Sequence, residues 1–236
     1  MVRILMLMAA LFVTGCATLP ASGPGPGQGL GQEALRARRD FAEVVAAVEP
    51  VAERECRSRT SGVICDFMIR VDPNPSDEPN AFQTVDRLGR PVILFTATLI
   101  DSTQNADELA FVLSHETAHH ILGHLDRQAR YAAAGAAIFG DIATRDGANP
   151  ETVRRAQEIG AAVGARSFSK DFELEADQLG TKIAYDAGYD PLRGAAYFSR
   201  LPDPGDRFLG THPPNAERLW VVQKTMRALQ APGLSG

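Results

Sequence analysis

The sequence predicts an α+β fold, in which a mostly helical domain carries a small β-sheet. Apolar residues at helical spacing, with helix-boundary residues at the ends, recur in long blocks over most of the chain. Strand-like runs of β-branched and aromatic residues are few and short, and they lie between residues 63 and 95. About 205 residues follow the N-terminal segment, which suits one domain. We assign that domain to residues 33–236.

The N-terminus predicts export from the cytoplasm. We assign residues 1–15 to a signal peptide, because a positive start precedes the apolar stretch Ile4–Val13, which is too short to span a bilayer. The four residues that end at Cys16 resemble a bacterial lipobox, which implies cleavage before Cys16 and acylation of that cysteine. The alternative is an ordinary signal peptide that happens to contain a cysteine. Ala17 after the cysteine implies sorting to the outer membrane.

Residues 16–32 are predicted to be the lipidated N-terminus and a linker. Gly and Pro dominate Ala21–Gly31, and such a composition packs no core and behaves as a mobile spacer. The net charge of −5 and the pI of about 5.6 give no reason to expect a nucleic-acid partner. No later apolar stretch reaches the length that spans a bilayer. We therefore expect a domain held at a membrane surface by its lipid anchor.

The first part of the domain predicts one helix and then strands. Val44, Val48 and Val51 follow helical spacing and favour a helix over Glu33–Arg57, which Pro50 kinks or ends. The strand-like runs are Val63–Val71 and, after the Pro-rich loop Asp72–Pro79, Asn80–Val85 and Pro91–Phe95, which the turn Arg87–Arg90 joins.

Two cysteines remain after the one assigned to lipidation. Cys56 lies at the end of the first predicted helix and Cys65 lies in the first predicted strand. An even pair in an oxidising compartment favours a structural disulfide. The alternative is two free, buried thiols, because sequence alone does not give the geometry.

The rest of the chain predicts helices. Asp107 is the expected N-cap of the first of them, since an Asp side chain accepts from the free N–H groups of a first turn. Gly188 is expected to end a later helix and Pro191 to begin another. The helical segments are Asp107–Leu125, small-residue stretches up to Arg166, Asp171–Ala187, Pro191–Arg200, and a last helix that follows Thr211–Pro214 and ends near Leu229.

The most informative motif is H-E-x-x-H, formed by His115, Glu116 and His119 within the helical run Asp107–Leu125. Residues i and i+4 of a helix lie on one face, so both imidazoles can reach one metal ion. Zinc suits this pair, because neutral imidazole nitrogens bind it at about 2.0–2.1 Å. Glu116 lies beside the first ligand, where its carboxylate can act as a base towards water.

A catalytic zinc site of this kind needs a third ligand. His120 and His124 are out of register for a downstream histidine ligand and are predicted to point to other parts of the helix surface. A carboxylate on a second helix is the other candidate, and Glu173 and Asp177 share a helix face there. One of them can bind zinc while the other orients a ligand imidazole. Glu175 points away from the face that Glu173 and Asp177 share. The alternative to a metal-binding role is that this acidic helix face is simply exposed to solvent.

Taken together, the motifs resemble the zinc metallopeptidase family that includes heat-shock HtpX and the CAAX prenyl protease, and especially its periplasmic members. The resemblance runs from about Asn80 to Arg218. The segments that carry it, in order, are Asn80–Phe82, His115–His119, Glu173–Asp177, Gly188–Pro191 and Thr211–Pro213 with Arg218.

The resemblance implies one zinc ion per chain and a role for each matching residue. His115, His119 and Glu173 would be the zinc ligands and Glu116 the general base. Asp177 would hold a ligand imidazole. The resemblance further implies that the strand beginning at Asn80, Ala81 and Phe82 is the edge strand lining the active-site cleft, to which substrate backbone adds. Its continuation, Gln83–Arg90, is bulkier and more charged than the glycine-rich hairpin of related chains.

Two further residues have roles implied by the resemblance, each with a plain alternative. His212 would either stabilise the oxyanion or occupy zinc as a removable fourth ligand, the alternative being a loop histidine. Arg218 would anchor the loop through carboxylate contacts, the alternative being a surface arginine.

The leading hypothesis is a zinc endopeptidase at the periplasmic face of the bacterial outer membrane, with unfolded or misassembled envelope proteins as substrates. Contact with the outer-membrane assembly machinery is implied by the resemblance, although we expect no C-terminal repeat domain before Gly236. A second hypothesis is a chaperone-like edge-strand binder with a self-inhibited zinc site. A third is a structural zinc protein, and Glu116 argues against it, because a structural site has no use for a base.

Overall fold

The computed structural model describes residues 26–74, 78–205 and 212–231, with only the backbone path described for residues 26–39. The predicted signal peptide and Cys16 lie outside these residues. The α+β class is confirmed, since helices surround a small sheet. The α-helices of the described residues are α1 Pro26–Arg59, α2 Ala97–Ser102, α3 Ala106–Ile121, α4 His124–Arg145, α5 Pro150–Arg166, α6 Ser169–Asp186, α7 Pro191–Ala195 and α8 Asn215–Gln230.

The sheet has three strands within the described residues, in the order β1-β3-β2. They are β1 Met68–Val71, β2 Ala81–Val85 and β3 Pro91–Phe95. The β2 and β3 strands form the predicted antiparallel hairpin, while β1 pairs with β3 in parallel. In the turn, the Asp86 Oδ1 atom accepts from the backbone N–H groups of Leu88 and Arg90. The strand order places β2 at one edge of the described sheet.

The core of the domain is built around α3, which is buried along most of its length from Glu108 to Ala118. It packs against α1, α6 and α7, and its own apolar side chains meet those of the central strand. Asn105, and not the predicted Asp107, is the N-cap, because its side chain accepts from the Glu108 N–H. The Glu108 carboxylate in turn accepts from the N–H of Gln104, the residue before the N-cap, so the start of α3 is stabilised two residues earlier than predicted.

Several element boundaries differ from the predictions. The first helix begins at Pro26, seven residues before Glu33, and runs through Pro50 to Arg59. The strand predicted over Val63–Val71 is restricted to β1, since the parallel ladder with β3 pairs four residues of it. The helix predicted over Pro191–Arg200 is α7 followed by a 3-10 helix, Ala196–Arg200.

Cys56 and Cys65 form the predicted disulfide, with a Cα–Cα distance of 5.7 Å. It joins the last turns of α1 to the segment that enters β1. Both cysteines are buried in the core.

The small-residue segment predicted to be helical folds as an antiparallel hairpin of α4 and α5. The two helices contact each other far more extensively than they contact the remaining elements. Glycines allow this close approach, because a Cβ atom on Gly135 or Gly164 would overlap the backbone of the facing helix. Across the residues that the structure describes, no helix has the length and apolar character needed to cross a bilayer.

Candidate metal centre and active site

Three side chains from two helices converge on one point. The Nε2 atoms of His115 and His119, both on α3, lie 3.0 Å apart. The Glu173 carboxylate of α6 lies 3.5 Å from the first of these atoms and 3.4 Å from the second. Candidate ligand atoms of all three residues fall within 4.8 Å of one another. The structure therefore brings together the imidazole pair and the distant carboxylate that the sequence predicted as ligands.

The donor set fits a zinc ion. Two imidazole nitrogens and one carboxylate oxygen are ligands that zinc takes in catalytic sites, where one position stays open. Ligands about 2.0–2.1 Å from a tetrahedral ion lie about 3.3 Å from one another, which is close to the three observed separations.

The close approach of α3 and α6 brings the carboxylate to the imidazoles. Gly180 of α6 faces the α3 backbone, and a Cβ atom there would lie 2.9 Å from the His115 backbone nitrogen and 3.1 Å from the Ser114 carbonyl carbon. A glycine at this position therefore lets the two helix axes lie close together. Asp177 and Glu173, one and two turns earlier on α6 respectively, then reach the metal-facing side of α3.

The His115 imidazole is held from behind by a buried ion pair. Its Nδ1 atom lies 2.9 Å from Asp177 Oδ1, and the Asp177 side chain is fully buried. Arg218 of α8 donates to both carboxylate oxygens of Asp177, each over 2.7 Å. The Arg218 guanidinium also stacks 3.6 Å above the centre of the Phe198 ring. Arg218 and Asp177 thus form a continuous support behind the candidate ligand His115.

The His119 imidazole is held by residues that the sequence prediction did not place there. Its Nδ1 atom lies 2.7 Å from His124 Nδ1, and His124 Nε2 lies 3.1 Å from a Glu175 carboxylate oxygen. The prediction that His124 points to another part of the helix surface is therefore wrong, whereas Glu175 points away from the three donors, as predicted, and contacts His124 instead. The prediction for His124 assumed one continuous helix to Leu125, whereas α3 ends at Ile121 and a positive φ of 65° at Gly123 redirects the chain into α4. Gly123 was the residue in the sequence that could have indicated this end of the helix.

His120 does point away from the metal-facing side, as predicted. Its Nε2 atom lies 2.8 Å from the Ile64 carbonyl oxygen, and its Nδ1 atom lies 3.5 Å from the Gln83 side-chain amide. The ring therefore packs against the segment that enters the sheet. It has no contact with the three candidate ligands.

The charges around the site favour a cation. Burial lowers the pKa of His115, but hydrogen bonds with Asp177 and Glu173 outweigh it and raise the pKa to about 10. Burial, reinforced by the positive charge of His115, holds the pKa of His119 well below its usual range. For Glu173, burial raises the pKa, yet the hydrogen bonds with His115 and His212 hold it well below its usual range. The Asp177 and Glu173 carboxylates thus stabilise positive charge at His115, and the Arg218 guanidinium opposes them only in part.

Glu116 lies beside the donors with a carboxyl group suited to proton transfer. Burial raises the pKa of Glu116 to about 7; the charge of His115 opposes this rise and the Glu173 carboxylate adds to it. A hydrogen bond from the Gln83 backbone N–H also stabilises the charged form. A carboxyl group with a pKa near 7 is well matched to accepting and returning a proton at neutral pH.

The β2 edge lies along this site. In an antiparallel pair, alternate residues bond to the partner strand, and those between them point their N–H and C=O groups away. Asn80 and Asp86 bond to the β3 side, so Ala81, Gln83 and Val85 direct their backbone groups to the open edge. The contact between the Gln83 N–H and Glu116 agrees with this register.

Two cavities of about 270 and 240 Å³ flank the donors. Both are lined by Ala81 of the strand and by His115, Glu116, Glu173 and His212. The larger cavity also has apolar walls. The smaller cavity continues along β2 past Phe82 and Gln83. Together they form a cleft that runs past the donors on both sides.

His212 lies at the mouth of the cleft. It is exposed, and its Nδ1–H donates to Glu173 Oε2 over 3.0 Å. The structure thus places His212 beside the candidate ligand carboxylate, where the resemblance predicted it.

An α+β fold in which an H-E-x-x-H helix and a carboxylate from a neighbouring helix present three donors at one point defines a metal-dependent peptidase. The profile of Peptidase family M48 matches residues 44–226, which is more than half of the sequence. The chain belongs to this family, whose members are zinc-dependent, and it is a metalloprotease. The family predicted from the motifs is thereby confirmed.

The chain is also similar to the Beta-barrel assembly-enhancing protease of Yersinia pestis. The two are 31% identical over 136 residues, which cover 54% of this chain and 27% of the relative. The chain therefore spans about a quarter of the length of this curated relative.

Proposed function

We propose that the protein is a zinc-dependent endopeptidase, anchored by lipid at the periplasmic face of the bacterial outer membrane, that cleaves unfolded or misassembled envelope proteins. The observation that carries the catalytic part is the convergence of His115, His119 and Glu173 within 4.8 Å of one another beside Glu116 and an open strand edge. Family membership and the protease named above support it.

His115, His119 and Glu173 would hold one zinc ion. Bound there, zinc supplies Lewis-acid chemistry, polarising the scissile carbonyl and making water more acidic. The surrounding residues keep the ligands in position: Asp177 fixes the His115 ring, and Arg218 fixes Asp177.

Glu116 would act as the general base. Its carboxylate takes a proton from the attacking water molecule and returns it to the leaving amine, for which a pKa near the working pH is best. The Gln83 backbone N–H keeps this carboxylate directed to the cleft.

The substrate would bind as an added strand along β2. Ala81 and Gln83 direct their backbone groups to the open edge beside the cleft. The Gln83 N–H donates to Glu116 there, and an extended peptide can bond to the other backbone groups of such an edge. Extended backbone is accessible in unfolded or misassembled chains and is occupied in folded ones. The proposed substrate class follows from this requirement.

The catalytic part is tested by Glu116→Gln, which keeps the shape of the side chain and removes the base. We expect turnover of an unfolded, casein-like substrate to fall at least about 100-fold, while zinc content stays at one per chain. Glu151→Gln, an exposed residue of α5, is the matched control and should cleave as the wild type does. Equal proteolysis by the wild type and Glu116→Gln would overturn the assignment.

The lipid anchor rests on the residues around Cys16. Cys16→Ser should abolish incorporation of labelled palmitate and move the protein from the outer-membrane fraction to the soluble periplasmic fraction. Cys56→Ser, which leaves the lipobox-like segment intact, serves as the control and should still be labelled. Unchanged labelling of Cys16→Ser would remove the anchor from the proposal.

The second candidate function is a chaperone-like binder with a self-inhibited site. The contact between His212 and Glu173 favours it, because it places a further imidazole beside the candidate ligands. If this function dominates, Glu116→Gln suppresses aggregation of unfolded envelope proteins as well as the wild type does, and zinc-loaded wild type cleaves none of them.

A further inference from the structure

We propose that His124 is a positioning residue for the zinc ligand His119, and that it acts through a chain of hydrogen bonds ending at Glu175 and Arg127. This inference rests on the proposed zinc site. It adds a support for the second imidazole that no motif of the family assignment supplied.

The chain of contacts is continuous. His119 Nδ1 lies 2.7 Å from His124 Nδ1, and His124 Nε2 lies 3.1 Å from Glu175 Oε2. The same oxygen accepts from Arg127 Nη1 over 2.5 Å, while the other oxygen of Glu175 lies 3.3 Å from Arg127 Nη2. Each polar atom of the His124 ring therefore has one partner.

The position of each proton follows from these contacts. His119 Nε2 faces His115 Nε2 and Glu173, so it is the ligand nitrogen and must be free of a proton. His119 Nδ1 then carries the proton and donates it to His124 Nδ1. His124, with Nδ1 accepting, carries its own proton on Nε2 and donates to the Glu175 carboxylate. One tautomer of each ring satisfies every contact.

Packing also holds the His124 ring in place. His124 is 4% exposed, and its ring stacks on Phe172 at 4.6 Å with 13° between the planes. The Arg127 guanidinium lies 4.3 Å from the centre of the same Phe172 ring. The left-handed conformation of Gly123 directs the start of α4 back towards the site. His124 thus has neither the space nor a free polar atom to turn away from His119.

The two ligand imidazoles are therefore held differently. His115 donates directly to a buried carboxylate, Asp177, whereas His119 reaches a carboxylate through a second imidazole. The Glu175 side chain is 39% exposed, so the charge at the end of the chain is partly screened by water. We expect the support of His119 to depend on the geometry of His124 more than on the charge of Glu175.

The test compares three substitutions in the full-length protein. His124→Phe keeps an aromatic ring on Phe172 but removes the acceptor, and we expect zinc affinity to fall 10- to 100-fold, as for other outer partners of metal-bound histidines. His124→Asn returns an acceptor oxygen at the position of Nδ1 and should restore affinity to within about threefold of the wild type. Glu175→Gln keeps an acceptor and should weaken binding less than His124→Phe does.

The readouts are the zinc dissociation constant from chelator competition and the visible spectrum of the cobalt-loaded protein, neither of which depends on proteolysis. His120→Phe is the control, since its ring faces Ile64, and it should bind zinc as the wild type does. Circular dichroism establishes that each variant is folded. If His124→Phe is not, Glu175→Ala decides, because it removes the acceptor of His124 at a partly exposed position: a lower zinc affinity than that of the wild type supports the inference, and an unchanged affinity overturns it.

Unchanged affinity in His124→Phe, or equal losses in His124→Phe and His124→Asn, would overturn the inference while leaving the zinc peptidase intact. A wild type that binds no zinc would overturn the proposed function and, with it, this inference.

Discussion

At the scale of single residues, the least accessible charge of the site is the Asp177 carboxylate. It is fully buried, and its partners are the Arg218 guanidinium and the His115 imidazole. Removing one partner of a buried ion pair leaves the other without compensation and costs about 3–5 kcal/mol. Asp177 therefore links the stability of the fold to the geometry of the metal centre.

Asp177→Asn should lower the free energy of unfolding by about 3 kcal/mol and weaken zinc binding about 10- to 100-fold. The amide keeps the shape of the side chain but removes the buried negative charge that accepts two hydrogen bonds from Arg218. Urea unfolding and chelator competition measure the two effects. Asp186→Asn, on the same helix but exposed beside Lys182, is the control and should cost less than about 1 kcal/mol. Similar effects of the two substitutions would contradict the role given to Asp177.

His212 differs from the buried residues because it is exposed and lines both cavities. We expect it to contact the substrate in the transition state, so that His212→Ala lowers kcat about 10- to 100-fold with zinc affinity unchanged within about threefold. Steady-state kinetics on an unfolded substrate and chelator competition measure these quantities. Faster turnover together with weaker zinc binding would instead identify His212 as a self-inhibitory ligand.

The candidate ligands could be predicted from sequence because their spacing follows helix geometry. His115 and His119 are one turn apart, and Glu173 and Asp177 repeat that spacing on α6. The contacts of His124 could not be obtained in the same way. They depend on the change of direction at Gly123 and on a pairing with α6 across 51 residues.

At the scale of elements, the packing of α3 on α6 decides whether the donors meet. Gly180 faces backbone atoms of α3, which cannot move aside as a flexible side chain would. The separation of the two helices is therefore set by the absence of a side chain at this position.

Gly180→Ala should push α6 away from α3 and weaken zinc binding, because Glu173 moves with the helix. We expect a loss of stability of about 1–3 kcal/mol from overpacking, measured by urea unfolding, together with the loss of zinc affinity. Gly160→Ala is the matched control: its Cβ atom would overlap the Gly135 backbone and disturb the α4–α5 pair instead. A metal affinity that falls equally in both variants would contradict the local explanation.

The elements themselves were predictable where a local signal dominates. The hairpin of β2 and β3 follows from strand-like runs on either side of a turn, and Gly188 and Pro191 stand where α6 ends and α7 begins. Tertiary context decided the rest. The β1 strand is as short as its ladder with β3 allows, and α1 continues through Pro50.

At the scale of the whole molecule, the chain divides into a body packed around α3 and the α4–α5 hairpin beside it. The hairpin begins at His124, so its first turn contributes to the site while the remaining turns pack mainly within the hairpin. The disulfide belongs to the body, since it joins α1 to the entry of the sheet.

Global stability should depend on the disulfide between Cys56 and Cys65, which are nine residues apart. Closing a loop of this length restricts the unfolded chain, which corresponds to about 2.5 kcal/mol by the chain-entropy relation. Urea unfolding of the wild type should therefore shift by this amount when reductant is added. A double variant, Cys56→Ala with Cys65→Ala, should be less stable than the oxidised wild type and insensitive to reductant. Equal stability of the wild type with and without reductant would show that the crosslink contributes nothing to the native fold.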